Sequence, residues 1–228
     1  ITDPVVIDGF SQPGTVEEDK ILLIEIDGKN AGDKTDGLAI KSDNCIVKGL
    51  VINGFSGSGI YLDHANSNII ESNFIGTDNT GLTKIGNGTY NTLTNNGEGA
   101  GISLYVSDNN TIGGSAPGSG NIISGNPYAG ILIRGDVIEN TVNTSSGNKI
   151  KGNLIGTDIS GANSLVNRYG IKIDKSVNSD IGGLLSEERN IISGNNFGIY
   201  ITGSDTSKGN TIRGNYVGTD ITGTKPVQ

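Results

Sequence analysis

Two stretches of this chain, Gly59 to Asn126 and Gly130 to Asn195, carry the same phrases in the same order. The first reads GIYL, NIIESNFIGTD, GISL, NTIGG, NIISGN; the second reads GILI, NKIKGNLIGTD, GIKI, NSDIGG, NIISGN. A third copy opens at Gly198 with GIYI and NTIRGNYVGTD. A period of about 70 residues built from short apolar alternations between Gly and Asn corners constrains the fold severely. No single unit can bury its own apolar face, so the units must stack.

Tetrads of the form Gly-apolar-x-apolar begin at Gly37, Gly59, Gly101, Gly130, Gly170 and Gly198. Alternation with period two over so short a run predicts strands with one buried face. The inward residues are Leu38 and Ile40, Ile60 and Leu62, Ile102 and Leu104, Ile131 and Ile133, Ile171 and Ile173, Ile199 and Ile201. A second strand follows each tetrad, centred on Ile46, Ile70, Ile112, Ile150, Ile181 and Ile212. A third returns the chain through Leu50 to Ile52, Phe74 to Ile75, Ile122 to Ile123, Leu154 to Ile155, Ile191 to Ile192 and Tyr216 to Val217. The first residues fit a partial coil, with Val5 to Ile7 as a second strand and Ile21 to Ile26 as a third. The expected fold is all-β: a right-handed, single-stranded parallel β-helix of about six to seven coils, residues 1–228 forming one domain. Longer loops are expected to leave alternate edges, after the Gly-Thr-Asp triplets (Asp78, Asp158, Asp220) and at Ser115 to Gly120 and Leu184 to Arg189.

Composition agrees with a narrow stack. Apolar residues other than Gly make up 33%, and Met and Trp are absent, so a core would be built of Ile, Leu and Val. Sixteen basic against 24 acidic residues leave a net charge of -8 without long runs. This argues against nucleic acid, which needs clustered Lys and Arg. No apolar stretch has the length to span a bilayer. Cys45 is the one cysteine, which excludes an internal disulfide; with Ile46 inward, Cys45 is expected to face outward. Sequons at Asn87, Asn109 and Asn143 fall in expected corners or loops. Recurrent corner Asn residues, Asn73, Asn153 and Asn215 among them, read as structural, because Asn tolerates left-handed backbone and bonds neighbouring backbone groups. Neither end shows a cap, so a piece of a longer repeat protein is expected, or a unit that self-associates head to tail through open coil ends.

The GI-x-I, N-x-I-x-G-N-x-I-G-T-D and N-I-I-S-G-N phrases resemble the parallel β-helix repeats of the pectin-lyase-like superfamily, and more narrowly the repeat arrays of secreted or surface-anchored bacterial proteins. The resemblance covers essentially the whole chain. It implies a secreted or cell-surface location and two function classes: structural or adhesive arrays, and polysaccharide lyases or hydrolases, which place their sites on an outer strand face. Fold alone does not choose between them.

The outward columns of the tetrads are the candidate ligand face. One runs Ala39, Tyr61, Ser103, Leu132, Lys172, Tyr200; the other runs Lys41, Asp63, Tyr105, Arg134, Asp174, Thr202. Tyr61, Tyr105 and Tyr200 would stack on sugar rings, with Asp63, Arg134, Lys172 and Asp174 as polar contacts. Catalysis is not expected: Asp63 and Asp174 lie three coils apart, about 14 Å at the inter-coil spacing, beyond the reach of a hydrolytic carboxylate pair. Lys41 with Asp63, and Arg134 with Asp174, read as cross-strand ion pairs. His64, the only histidine, reads as a solvated corner residue with nothing to orient it. The Gly-Thr-Asp triplets raise calcium as an alternative, but each Asp reads better as a cap on its own loop. No cofactor or metal site is expected. The leading expectation is a non-enzymatic stalk, adhesin or assembly unit. The alternative is a polysaccharide-binding or polysaccharide-cleaving module, and an ice- or mineral-binding face ranks last because its columns are mixed.

Overall fold

The structure, a computed structural model, describes every residue except Glu18, Asn95 and Ser204. The chain forms three parallel sheets that run its length, of six, seven and seven strands. The tetrads make the first sheet: Leu38–Ile40, Ile60–Asp63, Ile102–Tyr105, Ala129–Arg134, Tyr169–Asp174 and Phe197–Thr202. The second sheet runs from Val6–Asp8 through Ile46–Lys48, Ile69–Glu71, Thr111–Gly113, Lys149–Lys151 and Asp180–Gly182 to Thr211–Arg213. The third runs from Ile24–Asp27 through Leu50–Asn53, Phe74–Ile75, Ile122–Ile123, Leu154–Ile155 and Ile191–Ile192 to Tyr216–Val217. Every strand in these sheets pairs with its counterpart one coil away, giving a parallel β-helix solenoid. No helix among the described residues is long and apolar enough to cross a membrane.

One continuous core fills the stack. Ile60, Leu62, Ile102, Leu104, Ile131, Ile133, Ile171 and Ile173 point inward from the tetrads, as the alternation requires, and all are fully buried. They meet Ile70, Ile112, Ile150 and Ile181 of the second sheet and Ile52, Ile75, Ile123, Ile155 and Ile192 of the third. A smaller cluster lies outside the third sheet, where Phe10 and Leu22 of the first residues cover Val51, Phe74 and Ile122. In the last coil the corresponding residues are exposed: Ile201 by 41%, Ile212 by 45% and Val217 by 52%.

The tetrad glycines are there for close approach. A Cβ on Gly130 would lie 2.8 Å from the carbonyl oxygen of Gly170 and 3.1 Å from the Asn167 side chain. The same collision recurs at Gly59 against Gly101 and at Gly170 against Gly198. Each coil thus enters its first strand with backbone packed directly on the backbone of the next.

Three files of asparagine, buried except at the last members Asn195 and Asn215, hold the corners. One runs Asn73, Asn121, Asn153, Asn190, Asn215; the second runs Asn87, Asn126, Asn167, Asn195; the third runs Asn68, Asn110, Asn148. Along the files an Oδ1 accepts both the backbone N–H and the side-chain amide of the preceding member, as Asn153 does from Asn121 at 3.0 and 2.9 Å, and Asn195 accepts the side-chain amide of Asn167. The remaining amide proton returns to a backbone carbonyl, Asn153 to Ile112 and Lys151.

The first full coil departs from the sequence reading. Val47, not Ile46, takes the core column, in register with Ile70, and Cys45 is fully buried rather than outward. The reason lies in the files. The N–H of Cys45 donates to Asn68 Oδ1, that of Leu50 to Asn73 and that of Phe55 to Asn87. Each of the three files therefore ends on an apolar residue occupying a corner that Asn holds elsewhere. The sequon at Asn87 is likewise corrected: its side chain is fully buried and bonded within a file, while Asn109 is exposed and Asn143 half-buried.

The Gly-Thr-Asp loops close as the triplets suggest. Asp158 accepts from the Ser160 hydroxyl at 2.6 Å, from the backbone of Ala162 and Asn163, and from the Asn163 amide at 2.7 Å. Asp78 and Asp220 repeat the arrangement with Thr80 and Thr222. The loops also stack on one another, Ile159 N–H donating to Gly81 and Ile221 N–H to Gly161, both at 3.1 Å.

Candidate functional site

Both outward columns of the first sheet have the register expected of them. Tyr61 lies beside Ser103, Leu132 beside Lys172, and Lys172 beside Tyr200; Asp63 lies beside Tyr105, and Arg134 beside Tyr105 and Asp174. The face is not the open wall that alternation suggests. Ser103 and Leu132 are buried, and Tyr90, Tyr128 and Tyr169 pack over Leu132. An antiparallel hairpin, Thr89–Asn91 paired with Asn96–Glu98, rises beside them.

The result is a cleft of about 440 Å³ with Tyr61, Arg134, Lys172 and Asp174 among its lining residues. Lys34, Asp36 and the residues Ser56 to Ser58 form one side, and Asn96 to Gly99 with Tyr128 form the other. Tyr128, Asp36 and the hairpin were not singled out from the sequence. The available signal was the run of extra residues between Gly86 and Gly101, where the next coil needs only Asn126 to Gly130.

Charge in the cleft is uneven. Glu98 pairs with Lys34 at 3.4 Å, Asp174 with Lys175 at 2.9 Å, and Asp36 accepts the Ser58 N–H at 2.6 Å. Burial raises the Asp36 pKa against that hydrogen bond. Arg134 and Lys172 form no ion pair with a carboxylate among the described residues, and no bridge joins Arg134 to Asp174. Lys172 instead donates to the Tyr128 hydroxyl and sits 4.9 Å from that ring's centre. Arg134 lies 5.1 Å from the centre of the Tyr105 ring, and its charge opposes the rise in pKa at the nearby Tyr61 phenol. Burial first, and then the nearby Asp63 charge, push the Tyr61 phenol up.

The other candidates lie beside the cleft rather than in it. Tyr105 donates to Asp136 Oδ2 at 2.6 Å, which ties a second hairpin, Asp136–Ile138 with Thr141–Asn143, to the sheet. That bond holds the Asp136 carboxyl below, and the Tyr105 phenol above, their ordinary values. Tyr200 packs on Tyr169 and Phe197, ring centres 5.1 and 5.9 Å away, so Tyr61, Tyr105 and Tyr200 do not form one continuous stacking surface. Asp63 pairs with Lys41 at 3.2 Å, as the columns suggest. Burial alone would raise its pKa, but bonds from His64 and Lys41 hold it low. His64 is exposed at its corner, yet the expectation that nothing orients it fails: Nδ1 lies 2.7 Å from Asp63 Oδ1, and the ring meets Tyr105 edge-on at 5.5 Å.

Comparison with protein-family models finds no match, and neither the curated proteins nor the solved structures yield a significant one.

Proposed function

We propose that this chain is an adhesive, non-catalytic segment of an extracellular β-helix protein, of the pectin-lyase-like kind that its repeats resemble, and that the cleft holds an anionic polysaccharide. The observation that carries this reading is the pair Arg134 and Lys172, on adjacent coils, facing a cleft in which each carboxylate already has a partner. The phenol ring at Tyr61 offers a flat surface to the C–H face of a sugar, and the cations would pair with its carboxylate or sulfate groups. Asp63 and Asp174 stand three coils apart, about 14 Å, which favours holding over hydrolysis.

A glycan array comparing acidic with neutral polysaccharides, followed by a reducing-end assay on any ligand found, tests the proposal. Acidic glycans should bind in a salt-sensitive way without being cleaved. Arg134→Ala and Lys172→Ala should each weaken binding by about tenfold, the worth of one charge-assisted hydrogen bond. Cleavage of the ligand, or binding indifferent to both substitutions, would sink the reading.

A further inference from the structure

We propose that Asn96, in the hairpin wall of the cleft, is a site of spontaneous covalent modification, at which the neighbouring backbone nitrogen converts the side-chain amide to an acid. The sequence contains three Asn-Gly steps, Asn53–Gly54, Asn87–Gly88 and Asn96–Gly97. Such steps are the most open to this reaction, because glycine has no Cβ to obstruct its nitrogen and has the backbone freedom to approach the preceding side chain.

The fold separates the three. Asn53 is 1% exposed, and its amide donates to Glu25 Oε1 and to the carbonyl of Thr77. Asn87 is fully buried, and its amide donates to the Ile52 carbonyl and to Asn126 Oδ1. Both amide nitrogens are fixed as donors to partners away from the next backbone nitrogen. Asn96 is exposed, and the Gly97 N–H donates to Asn96 Oδ1 at 3.0 Å. The attacking atom therefore already lies against the amide it would attack.

The step balances with water as the only co-reactant. The Gly97 nitrogen gives up its proton to base and bonds to Asn96 Cγ; the Cγ–Nδ2 bond breaks and ammonia leaves, closing a five-membered imide. Water then adds to one of the two imide carbonyls and opens the ring, leaving either an aspartate or an isoaspartyl linkage. Either product puts a new negative charge beside Glu98. The isoaspartyl form also lengthens the main chain by one carbon within the strand Asn96–Glu98. Gly97 packs so closely on Tyr128 that a Cβ there would lie 2.3 Å from the ring, so a shift of this strand reaches the residue that Lys172 bonds. Resting on the cleft as an anion-binding site, the consequence is an adhesive surface that weakens as the molecule ages.

The test is to incubate the purified chain at mildly alkaline pH, native and in urea, and to follow the three Asn-Gly steps by peptide mass mapping. In the native protein Asn96 should convert more than about tenfold faster than Asn53 or Asn87, which can react only from locally opened states. In urea the three rates should converge. Comparable native rates at all three sites, or an Asn96 that converts only in urea, would overturn the site. The aged form, separated by ion exchange, should bind acidic glycan more weakly than fresh protein, whereas Asn96→Gln should not age. Conversion with undiminished binding would overturn the effect on the cleft while leaving the modification standing. An absence of glycan binding by fresh protein would instead strike at the cleft reading itself.

Discussion

Asparagine is the residue on which this fold turns. At each corner in the files, one side chain satisfies two N–H groups of a neighbouring coil and returns its own protons to carbonyls that the turn would otherwise strand. Asn153 sits at the middle of its file and is fully buried. Asn153→Ala removes the acceptor for Asn121 and the donor for Ile112 and Lys151, and should cost about 3 to 5 kcal/mol, because several buried groups each lose about 1–3 kcal/mol. Urea denaturation of the variant checks this; a loss below about 1 kcal/mol would mean that solvent repairs the corner. The sequence reading recognised corner Asn as structural but missed the files, since their members are joined only across coils. It misplaced Cys45 for the same reason. Alternation around Ile46 was read locally, whereas the register is set by hydrogen bonds from Cys45, Leu50 and Phe55 to the Asn residues of the next coil.

At the scale of the element, strands and loops answer to different forces. The first strand of each coil is limited by contact, so Gly130→Ala should destabilise by about 1 to 3 kcal/mol as its methyl is forced against Gly170 and Asn167. Thermal melting of that variant is the check. The Gly-Thr-Asp loops are limited by charge. Burial alone would raise Asp78 and Asp158, but the hydroxyl and backbone donors of their loops hold both below the ordinary value; the Thr222 hydroxyl leads the same effect at Asp220. A carboxylate with a lowered folded pKa stabilises fully above its unfolded value and loses that contribution as pH falls through the folded one. The urea midpoint should therefore be flat from neutral pH down to about 5 and fall below about 4. Asp158→Asn should start less stable and fall less steeply. Strands and loop caps were legible because period-two alternation and the Gly-Thr-Asp triplets are local signals. The cleft was legible only in its floor: Tyr61, Arg134, Lys172 and Asp174 follow from alternation, while the hairpin belongs to an insertion with no counterpart in the next coil, and Tyr128 sits in the short corner Asn126 to Gly130 of that next coil, outside the alternating strands.

Over the whole molecule, stability should be graded along the stack, because each coil is held only by its neighbours. The central strands Ile102–Tyr105 and Ala129–Arg134 have buried coils on both sides, whereas in the last coil Ile201, Ile212 and Val217 are partly exposed. Hydrogen exchange should show amides of Phe197–Thr202 and Tyr216–Val217 opening well before those of Ile102–Tyr105. Equal protection throughout would mean that the solenoid opens as one cooperative unit.

The asparagine files also give the molecule a direction. In all three, one side-chain N–H reaches the asparagine of the later coil, while the side-chain oxygen faces the earlier one. Small amide dipoles thus line up along the stack as peptide dipoles do along a helix. A coil added to such a rod fits in one orientation only, because an inverted junction would set N–H against N–H or oxygen against oxygen. The rod behaves as a keyed object, and its corners, more than its apolar core, distinguish one end from the other.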